Sequence, residues 1–349
     1  MRRASQENTK AKRHHAKRKR GLLPIPVMVL FDILTAGACL CVFSLFHHVL
    51  PRVSEYQGTV ILRPSSSAPA PSGSAPADST PDSSQTAPVE PTGWAAKWPD
   101  KFSDTVEKTA NSYRSQDISV TITRHEETRG NQPLVYFVAD IYINSIDNFK
   151  TGLARDKFGQ GLREEVLSMS DRLGAVLAIN GDYYANRTVG PVIRNGVLYR
   201  EDPFEDVCVL YADGVMETYS ADEVDMEQVK ARGAYQAWSF GPRLLDKDGK
   251  AMTEFVSTVN PLNPRSAIGY YEPGHYCFVL VEGRRATDYS RGMTMSELSS
   301  LFESLGCKAA YNLDGGQSSV MAFDGRIYND PPNGGRANSD ILYIAEIGE

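Results

Sequence analysis

The chain has 349 residues, which at roughly 100–200 residues per domain allows about two domains. Hydrophobic residues make up 41% and charged residues 23%, so the chain is neither wholly disordered nor built mainly of membrane spans. The first 20 residues carry a net charge of +8, whereas the whole chain carries −6, so the other 329 residues carry −14. This acidic remainder argues against a nucleic-acid-binding body, and we expect no nucleic-acid partner.

The N-terminal region predicts a membrane anchor. Residues 22–50 form an apolar run in which Asp32 is the one formal charge, and a spanning helix needs about 20 such residues. The small residues before Cys39 weakly resemble a lipoprotein cleavage site, but the apolar run is longer than a signal peptide requires. We therefore predict a basic cytoplasmic tail at 1–21 and one transmembrane helix at 22–50, which places the rest of the chain outside the cell by the positive-inside rule.

A change of composition after the anchor predicts an extracellular linker at 51–92. Within it, 23 of the 29 residues at 64–92 are Pro, Ser, Ala or Thr. Such a segment cannot bury enough apolar surface to fold, so we expect it to be disordered and extended. The folded domain is predicted to occupy residues 93–349.

The remaining patterns predict a single α+β domain with mixed or antiparallel sheets and interspersed helices. Period-2 or continuously apolar runs indicate strands at 118–123, 133–144, 175–179, 206–211, 266–270, 276–281, 308–312 and 341–346. Asn195-Gly196 between two apolar runs predicts a hairpin turn. Helical spacing occurs at 161–173 and at 293–306, with Thr294 or Ser296 as the N-cap of the second helix and Gly306 at its end.

The predicted domain lacks the sequence motifs of several common enzyme classes and metal sites. Its cysteines (Cys208, Cys277 and Cys307) are widely spaced and form no Cys-x-x-Cys motif, so buried free thiols are a better prediction than a disulfide. Its histidines, His125 and His275, lie in unremarkable contexts. The sequence contains no His-Glu-x-x-His, Gly-x-Ser-x-Gly, Walker or dinucleotide-binding motif.

Four polar, glycine-containing segments follow or interrupt the predicted strands, at 180–184, 263–269, 281–284 and 312–319. Strand ends are where sheet proteins commonly place functional groups. Carboxylates suit glycosidic bond cleavage, whereas an arginine fork and successive glycine amides suit a phosphate. The segments supply both sets: the carboxylates of Asp182, Glu282 and Asp314, the guanidinium of Arg265, and the amides of Gly315 and Gly316.

Two of these segments, NPRSAIG at 263–269 and NLDGGQSS at 312–319, resemble the phosphodiester glycosidase family. The order of the other segments, the Phe240-Gly241-Pro242 run and Arg336 extend the resemblance over roughly 115–349. There are departures: the family's mammalian pattern has glycine where Gln317 and Asp182 stand, and Asp where Glu282 stands.

The resemblance implies a glycosidase that hydrolyses a sugar-1-phosphodiester, such as one of N-acetylglucosamine, to free sugar and a phosphomonoester. Its substrate would be a carbohydrate phosphodiester of a cell-surface polysaccharide or exopolysaccharide. The implied catalytic carboxylate is Asp314, with Asp182 or Glu282 as its partner. The implied phosphate- and sugar-binding residues are Arg265, Arg336, Asn180, Gly181, Asn312, Gly315, Gly316 and Ser318. Of these, Asn180 and Asn312 would either bond sugar hydroxyls or orient the acids.

Two other classes remain open at this stage. A metal-dependent phosphodiesterase could hold Ca²⁺ or Mg²⁺ between Asp182, Glu282 and Asp314 and break the phosphorus–oxygen bond instead. A non-catalytic cell-envelope binding module could use the same fold. The sequence itself requires no cofactor.

Overall fold

A computed structural model describes residues 24–46, 52–53, 58–62, 93–255, 259–284 and 289–347. The chain divides into two units at residues 50 and 51. The predicted cytoplasmic tail and the Pro/Ser-rich stretch at 64–92 lie outside the described residues.

The first unit contains one helix, α1 (Ile25–Ser44), which begins after Pro24. Its 20 residues extend about 30 Å, which matches the hydrocarbon thickness of a bilayer. None of its residues is buried. The helix is therefore long and apolar enough to cross a membrane, judged by its length and composition.

The second unit is an α+β domain. Its helices are α2 (Val166–Arg172), α3 (Met226–Ala231) and α4 (Met295–Ser304). Its strands in chain order are β1 (Arg52–Val53), β2 (Thr59–Val60), β3 (Glu107–Lys108), β4 (Ser112–Arg114), β5 (Ile118–Arg129), β6 (Gln132–Ile143), β7 (Phe149–Leu153), β8 (Gly159–Gln160), β9 (Leu177–Asn180), β10 (Val192–Arg194), β11 (Val197–Arg200), β12 (Val207–Tyr211), β13 (Met216–Tyr219), β14 (Ala234–Trp238), β15 (Arg265–Glu272), β16 (His275–Val281), β17 (Ala309–Asn312), β18 (Met321–Phe323), β19 (Arg326–Ile327) and β20 (Asp340–Ile344).

Three main sheets build the domain. Their strand orders are β17-β15-β16-β6-β5-β4-β3, β13-β12-β14-β10-β11-β2 and β19-β18-β9-β20-β7, and β1 pairs with β8. All strand pairs among the described residues are antiparallel, so the prediction of mixed or antiparallel sheets resolves to the antiparallel form. Asn195 and Gly196 turn the β10–β11 hairpin with φ of 51° and 76°, the left-handed conformation that such two-residue turns require.

The strands β1 and β2 correct the predicted start of the folded region. Both lie within the range 51–92 assigned to the linker, yet β2 pairs Val60 with Val197 and Thr59 with Leu198 of β11. The Pro/Ser/Ala/Thr-rich composition starts only at residue 64, whereas residues 59–62 read Thr-Val-Ile-Leu, a short apolar run that the range 51–92 included in the linker. The domain's β-structure therefore begins before residue 93.

One hydrophobic core joins the three sheets. Phe278 of β16, Trp238 of β14 and Phe323 of β18 belong to the same buried cluster. The outer face of each sheet is covered by one helix: α4 packs on β15–β17, α2 on β9 and β20, and α3 on β12 and β14. This arrangement holds strand ends from different sheets rigidly beside one another.

The helix α4 and the cysteines agree with the sequence predictions. Thr294 caps α4 through a capping box with Glu297, and Gly306 follows the helix with a φ of +79°. Cys208, Cys277 and Cys307 are buried free thiols. The Sγ atoms of Cys277 and Cys307 lie 3.8 Å apart, which exceeds a disulfide bond of about 2.05 Å.

Candidate active site

Ends of strands from two of the sheets meet at one pocket. Arg265 begins β15, Asn312 ends β17, and Phe240 follows β14 by two residues. The pocket has a volume of about 220 Å³ and is lined by Phe240, Val259, Asn263, Arg265, Arg284, Asn312, Asp314, Gly315, Gly316, Gln317 and Arg336. The segments singled out in the sequence at 263–269, 281–284 and 312–319 each contribute to it.

Asp314 is the one carboxylate among these lining residues. Its Oδ2 atom accepts hydrogen bonds from the Ser318 hydroxyl at 2.6 Å and from Nη2 of Arg336 at 2.7 Å. Nε of Arg336 also donates to the Ser318 hydroxyl. No described residue donates to Oδ1 of Asp314, and the carboxyl group lies on the pocket wall. One carboxylate oxygen is thus held by two donors, and the other has no donor among the described residues.

The side chain of Asn180 fixes the backbone at Asp314. Its Nδ2 atom donates to the carbonyl of Asp314 at 2.6 Å, and its Oδ1 accepts from the Ser266 hydroxyl at 2.6 Å and from the Val320 amide at 3.3 Å. The side chain is fully buried and does not line the pocket. Because these hydrogen bonds are made inside the protein, they fit the second of the two expected roles of Asn180, the orientation of an acid.

Arg265 places a buried cation on the pocket wall. Its Nε atom donates to the carbonyl of Met293 at 3.0 Å, and its Nη2 donates to the carbonyl of Pro261 at 2.5 Å. No described carboxylate lies within salt-bridge distance of it. Burial, together with the positive charge of Arg284, lowers its pKa to about 10, so the guanidinium stays charged at neutral pH. A buried cation without an acidic partner is costly in isolation and suits an anionic ligand.

Asn312 offers a hydrogen-bond acceptor to the same pocket. Its Nδ2 atom donates to the carbonyl of Gly241 at 2.8 Å, which fixes the orientation of the amide. Its Oδ1 atom is buried and accepts no hydrogen bond from any described residue. A buried acceptor is normally paired, so this atom is suited to accept from a ligand hydroxyl.

The glycine turn at 315–316 brings the backbone close to its neighbours. A Cβ atom on Gly315 would lie 2.8 Å from the Pro264 carbonyl, and one on Gly316, where φ is +65°, would lie 2.8 Å from Nη1 of Arg284. The Gly316 amide donates to the Pro264 carbonyl at 3.0 Å. The expectation that this amide binds an anion is therefore not supported, because it is already used within the turn.

Asp182 is placed in a buried ion cluster and not on the pocket wall. Its Oδ2 atom lies 2.9 Å from Nη2 of Arg194, and the same guanidinium contacts Oδ2 of Asp340 at 2.8 Å. All three side chains are at most 1% exposed. Burial raises the pKa of Asp340 to about 8, with the negative charge of Asp182 adding to the shift. Gly181, between Asn180 and Asp182, leaves no room for a side chain because a Cβ atom would lie 2.2 Å from Asp340.

Glu282 also lies off the pocket wall. It is 1% exposed, and its Oε1 atom accepts from the Asp330 amide at 2.7 Å. The two carboxylates expected to assist Asp314 are therefore each engaged elsewhere. Among the described residues no group of three or more Asp, Glu, His or Cys side chains could hold a metal ion, so Asp182, Glu282 and Asp314 do not form the cation site considered above.

Sequence reasoning did not assign roles to Arg284 and Arg194. Arg284 directly follows Glu282-Gly283 in one of the quoted segments, so that motif was a usable signal. Arg194 precedes the turn at 195–196 and carries no local signal, because an isolated arginine at a strand end is ordinary in sequence. Only the fold shows that its guanidinium is buried between two aspartates.

Comparison with known proteins places this site in a family. Residues 173–345 match the family model described as phosphodiester glycosidase. This range includes β9, the 263–269 segment, the Asp314 turn and Arg336. This part of the α+β domain therefore belongs to the phosphodiester glycosidase family, as the motifs at 263–269 and 312–319 predicted.

Two relatives extend the comparison. The chain is 37% identical over 199 residues to an uncharacterized SPbeta prophage-derived protein, YomE, of Bacillus subtilis strain 168; the match covers 54% of this chain and 30% of that relative's length. The catalytic domain of zebrafish N-acetylglucosamine-1-phosphodiester alpha-N-acetylglucosaminidase, auto-inhibited by its pro-peptide, superposes with a TM-score of 0.53 at 21% identity, covering 70% of this chain and 89% of that domain. At this identity the second match shows a shared fold.

Proposed function

We propose that this protein hydrolyses a sugar-1-phosphodiester, such as one of N-acetylglucosamine, to free sugar and a phosphomonoester. The observation that carries the proposal is a pocket lined by the Asp314 carboxylate and by the buried guanidinium of Arg265, which has no acidic partner in the described part of the chain. The carboxylate can act as nucleophile or base in the attack on the sugar carbon, and the cation can bind the phosphate. Membership of residues 173–345 in the phosphodiester glycosidase family supports the same reaction.

The phosphate is proposed to bind between Arg265 and Arg336. Each guanidinium is held by two of its three nitrogens: backbone carbonyls hold Arg265, and Ser318 and Asp314 hold Arg336. No described residue accepts from Nη1 of either arginine. Preorganised N–H donors of this kind stabilise the charge that develops on a leaving phosphate without reorganising during the reaction.

One carboxylate in the pocket is sufficient for this chemistry. An ordinary glycosidase pairs a nucleophile or base with a general acid because the leaving alcohol must be protonated. A phosphomonoester leaving group has its second pKa near 6 and leaves readily as an anion. We therefore propose Asp314 as the catalytic nucleophile or base, with no carboxyl acid opposite it. Asp182 and Glu282 would act as positioning residues through the contacts described above.

The sugar is proposed to lie against Asn312, whose unpaired Oδ1 would accept from a sugar hydroxyl. A site built to accept a hydroxyl proton rejects analogues that lack the hydroxyl, because the buried acceptor is then left unpaired. Substrates lacking single hydroxyl groups would identify which one is read.

The helix α1 is proposed to anchor the protein in the cell membrane with its N-terminus in the cytoplasm. The basic residues before the helix support this orientation through the positive-inside rule. The catalytic domain would then act outside the cell on surface polysaccharide phosphodiesters. Protease treatment of intact cells tests the orientation: digestion of the domain is expected, and full protection of the domain would contradict it.

The reaction is tested with the full-length protein, purified in detergent. It is incubated with an α-N-acetylglucosamine-1-phosphodiester in ¹⁸O-labelled water, with and without a chelator, and the products are analysed by mass spectrometry. Free sugar carrying the label on its C1 oxygen is expected. If the product is instead sugar-1-phosphate, and its formation stops when the chelator is added, the protein is a metal-dependent phosphodiesterase. Binding of the intact ester without turnover would establish a non-catalytic module.

A further inference from the structure

The pocket carries more positive charge than a single phosphate requires. Its lining contains three guanidinium groups, of Arg265, Arg284 and Arg336, and one carboxylate, of Asp314. Arg336 and Asp314 form an ion pair with a 2.7 Å contact. Two cations therefore remain in this lining without a counter-ion among the described residues.

These two cations are adjacent and are held by the same short segment. Nε and Nη2 of Arg284 donate to Oδ1 of Asn263 at 2.9 and 2.6 Å, and Nη2 of Arg265 donates to the carbonyl of Pro261 at 2.5 Å. The charge of Arg284 contributes to the lowered pKa of Arg265, so the two groups repel each other. No described residue accepts from Nη1 of either arginine.

The guanidinium of Arg284 lies directly against the turn that carries Asp314. A Cβ atom on Gly316 would lie 2.8 Å from Nη1 of Arg284, so a side chain at 316 would shift the guanidinium. Arg284 itself adopts a φ of +55°, which is uncommon for a residue with a side chain. A single phosphodiester carries one negative charge and would leave one of the two neighbouring cations uncompensated.

We infer that the preferred substrate of this site carries two adjacent phosphates, that is, a sugar linked through C1 to a diphosphate diester. This inference rests on the proposed glycosidase function and specifies its substrate class. The phosphate next to the sugar lies against Arg265, and the second phosphate lies against Arg284. A diphosphate diester carries two negative charges and so matches in number the two guanidiniums that have no acidic partner among the described residues.

The reaction remains a hydrolysis at carbon. Water adds its oxygen to C1 of the sugar, the bond from C1 to the bridging oxygen breaks, and that oxygen leaves with the diphosphate. The proton released by water passes to solvent through Asp314 or to the diphosphate product. No oxidant, reductant or second substrate is needed.

The test compares two esters of the same sugar, a methyl phosphodiester and a P²-methyl diphosphate diester, with the full-length protein. One additional charge-assisted contact predicts a kcat/KM that is about 10- to 100-fold higher for the diphosphate. The Arg284→Gln variant is expected to reduce the rate on the diphosphate by about tenfold more than the rate on the phosphodiester. An Arg326→Gln variant serves as the matched control, because Arg326 is exposed and donates to a backbone carbonyl outside the pocket.

Binding provides a readout independent of turnover. Calorimetry with inorganic diphosphate and with inorganic phosphate is expected to show tighter binding of the diphosphate, and Arg284→Gln is expected to remove most of this difference. Equal kcat/KM for the two esters, or equal losses on both in a folded Arg284→Gln protein, would overturn the inference and leave the proposed function standing. Failure of the wild-type protein to release sugar from either ester would refute both.

Discussion

Replacing Asp314 by Asn is the most direct test of the catalytic assignment, because the structure separates its effect on folding from its effect on rate. Asparagine has the shape of aspartate and can still accept from Ser318 and Arg336. The change removes the acceptor's negative charge from two hydrogen bonds, at about 1 kcal/mol each, while the donor in the bond from Arg336 stays cationic. Arg336 is 40% exposed, so solvent screening reduces its share. We expect the free energy of unfolding to fall by roughly 1–2 kcal/mol, which a folded domain tolerates.

The effect on rate should be far larger. A positioned proton-transfer group contributes roughly 10²- to 10⁴-fold, and the structure offers no second carboxylate on the described pocket wall to replace it. We therefore expect kcat to fall by at least about 100-fold with KM changed little, since the arginines that bind phosphate are retained. Initial rates of sugar release give kcat and KM, and urea denaturation of the same preparation gives the free energy of unfolding.

A matched control is Asp324→Asn, which removes an exposed carboxylate that pairs with Lys108. This variant is expected to keep normal kinetics. If folded Asp314→Asn protein releases sugar within tenfold of the wild-type rate, Asp314 is not the nucleophile or base.

Three further predictions concern the surroundings of Asp314. Arg336→Lys keeps the charge but loses the two-point contact with Ser318 and Asp314; kcat/KM for the phosphodiester should fall by about tenfold or more, and an unchanged value would remove Arg336 from the site. Gly181→Ala would bring a methyl group within 2.2 Å of Asp340, so the melting temperature should drop. An unaltered melting curve would show that the buried cluster of Asp182, Arg194 and Asp340 can move to make room for the methyl group at little cost. Because the pKa of Asp340 is raised from 3.8 to about 8, its contribution to stability is fully present below pH 4 and is lost as the pH rises toward 8. Denaturation at pH 4, 6 and 8 should show this loss of stability in the wild type and not in Asp340→Asn. The same pH dependence in both proteins would contradict the prediction.

Much of the domain's secondary structure could be predicted because its signals are local. The run at 133–144 became β6 (Gln132–Ile143) and the capped run at 293–306 became α4 (Met295–Ser304), since alternation and capping are properties of neighbouring residues. The predicted helix at 161–173 shortened to α2 (Val166–Arg172). The helix α3 (Met226–Ala231) was not predicted, because six residues give too little periodicity to recognise.

The site residues likewise divide into those that local motifs predicted and those whose role depends on the tertiary structure. The motifs at 263–269 and 312–319 identified Arg265, Asn312 and Asp314, and all three line the pocket. The partner carboxylate could not be chosen, because Asp182 follows a strand end much as Asp314 does. Its distinguishing feature is the buried guanidinium of Arg194, which lies 12 residues further along the chain and reaches it only after the sheets pack.

The sequence by itself determined the class of this protein: an apolar helix, a polar segment and an α+β domain with the motifs of the phosphodiester glycosidase family. Composition, periodicity and short motifs depend on residues that are close in the chain, so they can be recognised without a structure. Only the tertiary structure decided which polar groups face a ligand. Burial and pairing depend on residues distant in sequence. Asn180 holds the Asp314 carbonyl, Asp182 is neutralised by Arg194, and Arg265 and Arg284 have no acidic partner among the residues that the structure describes.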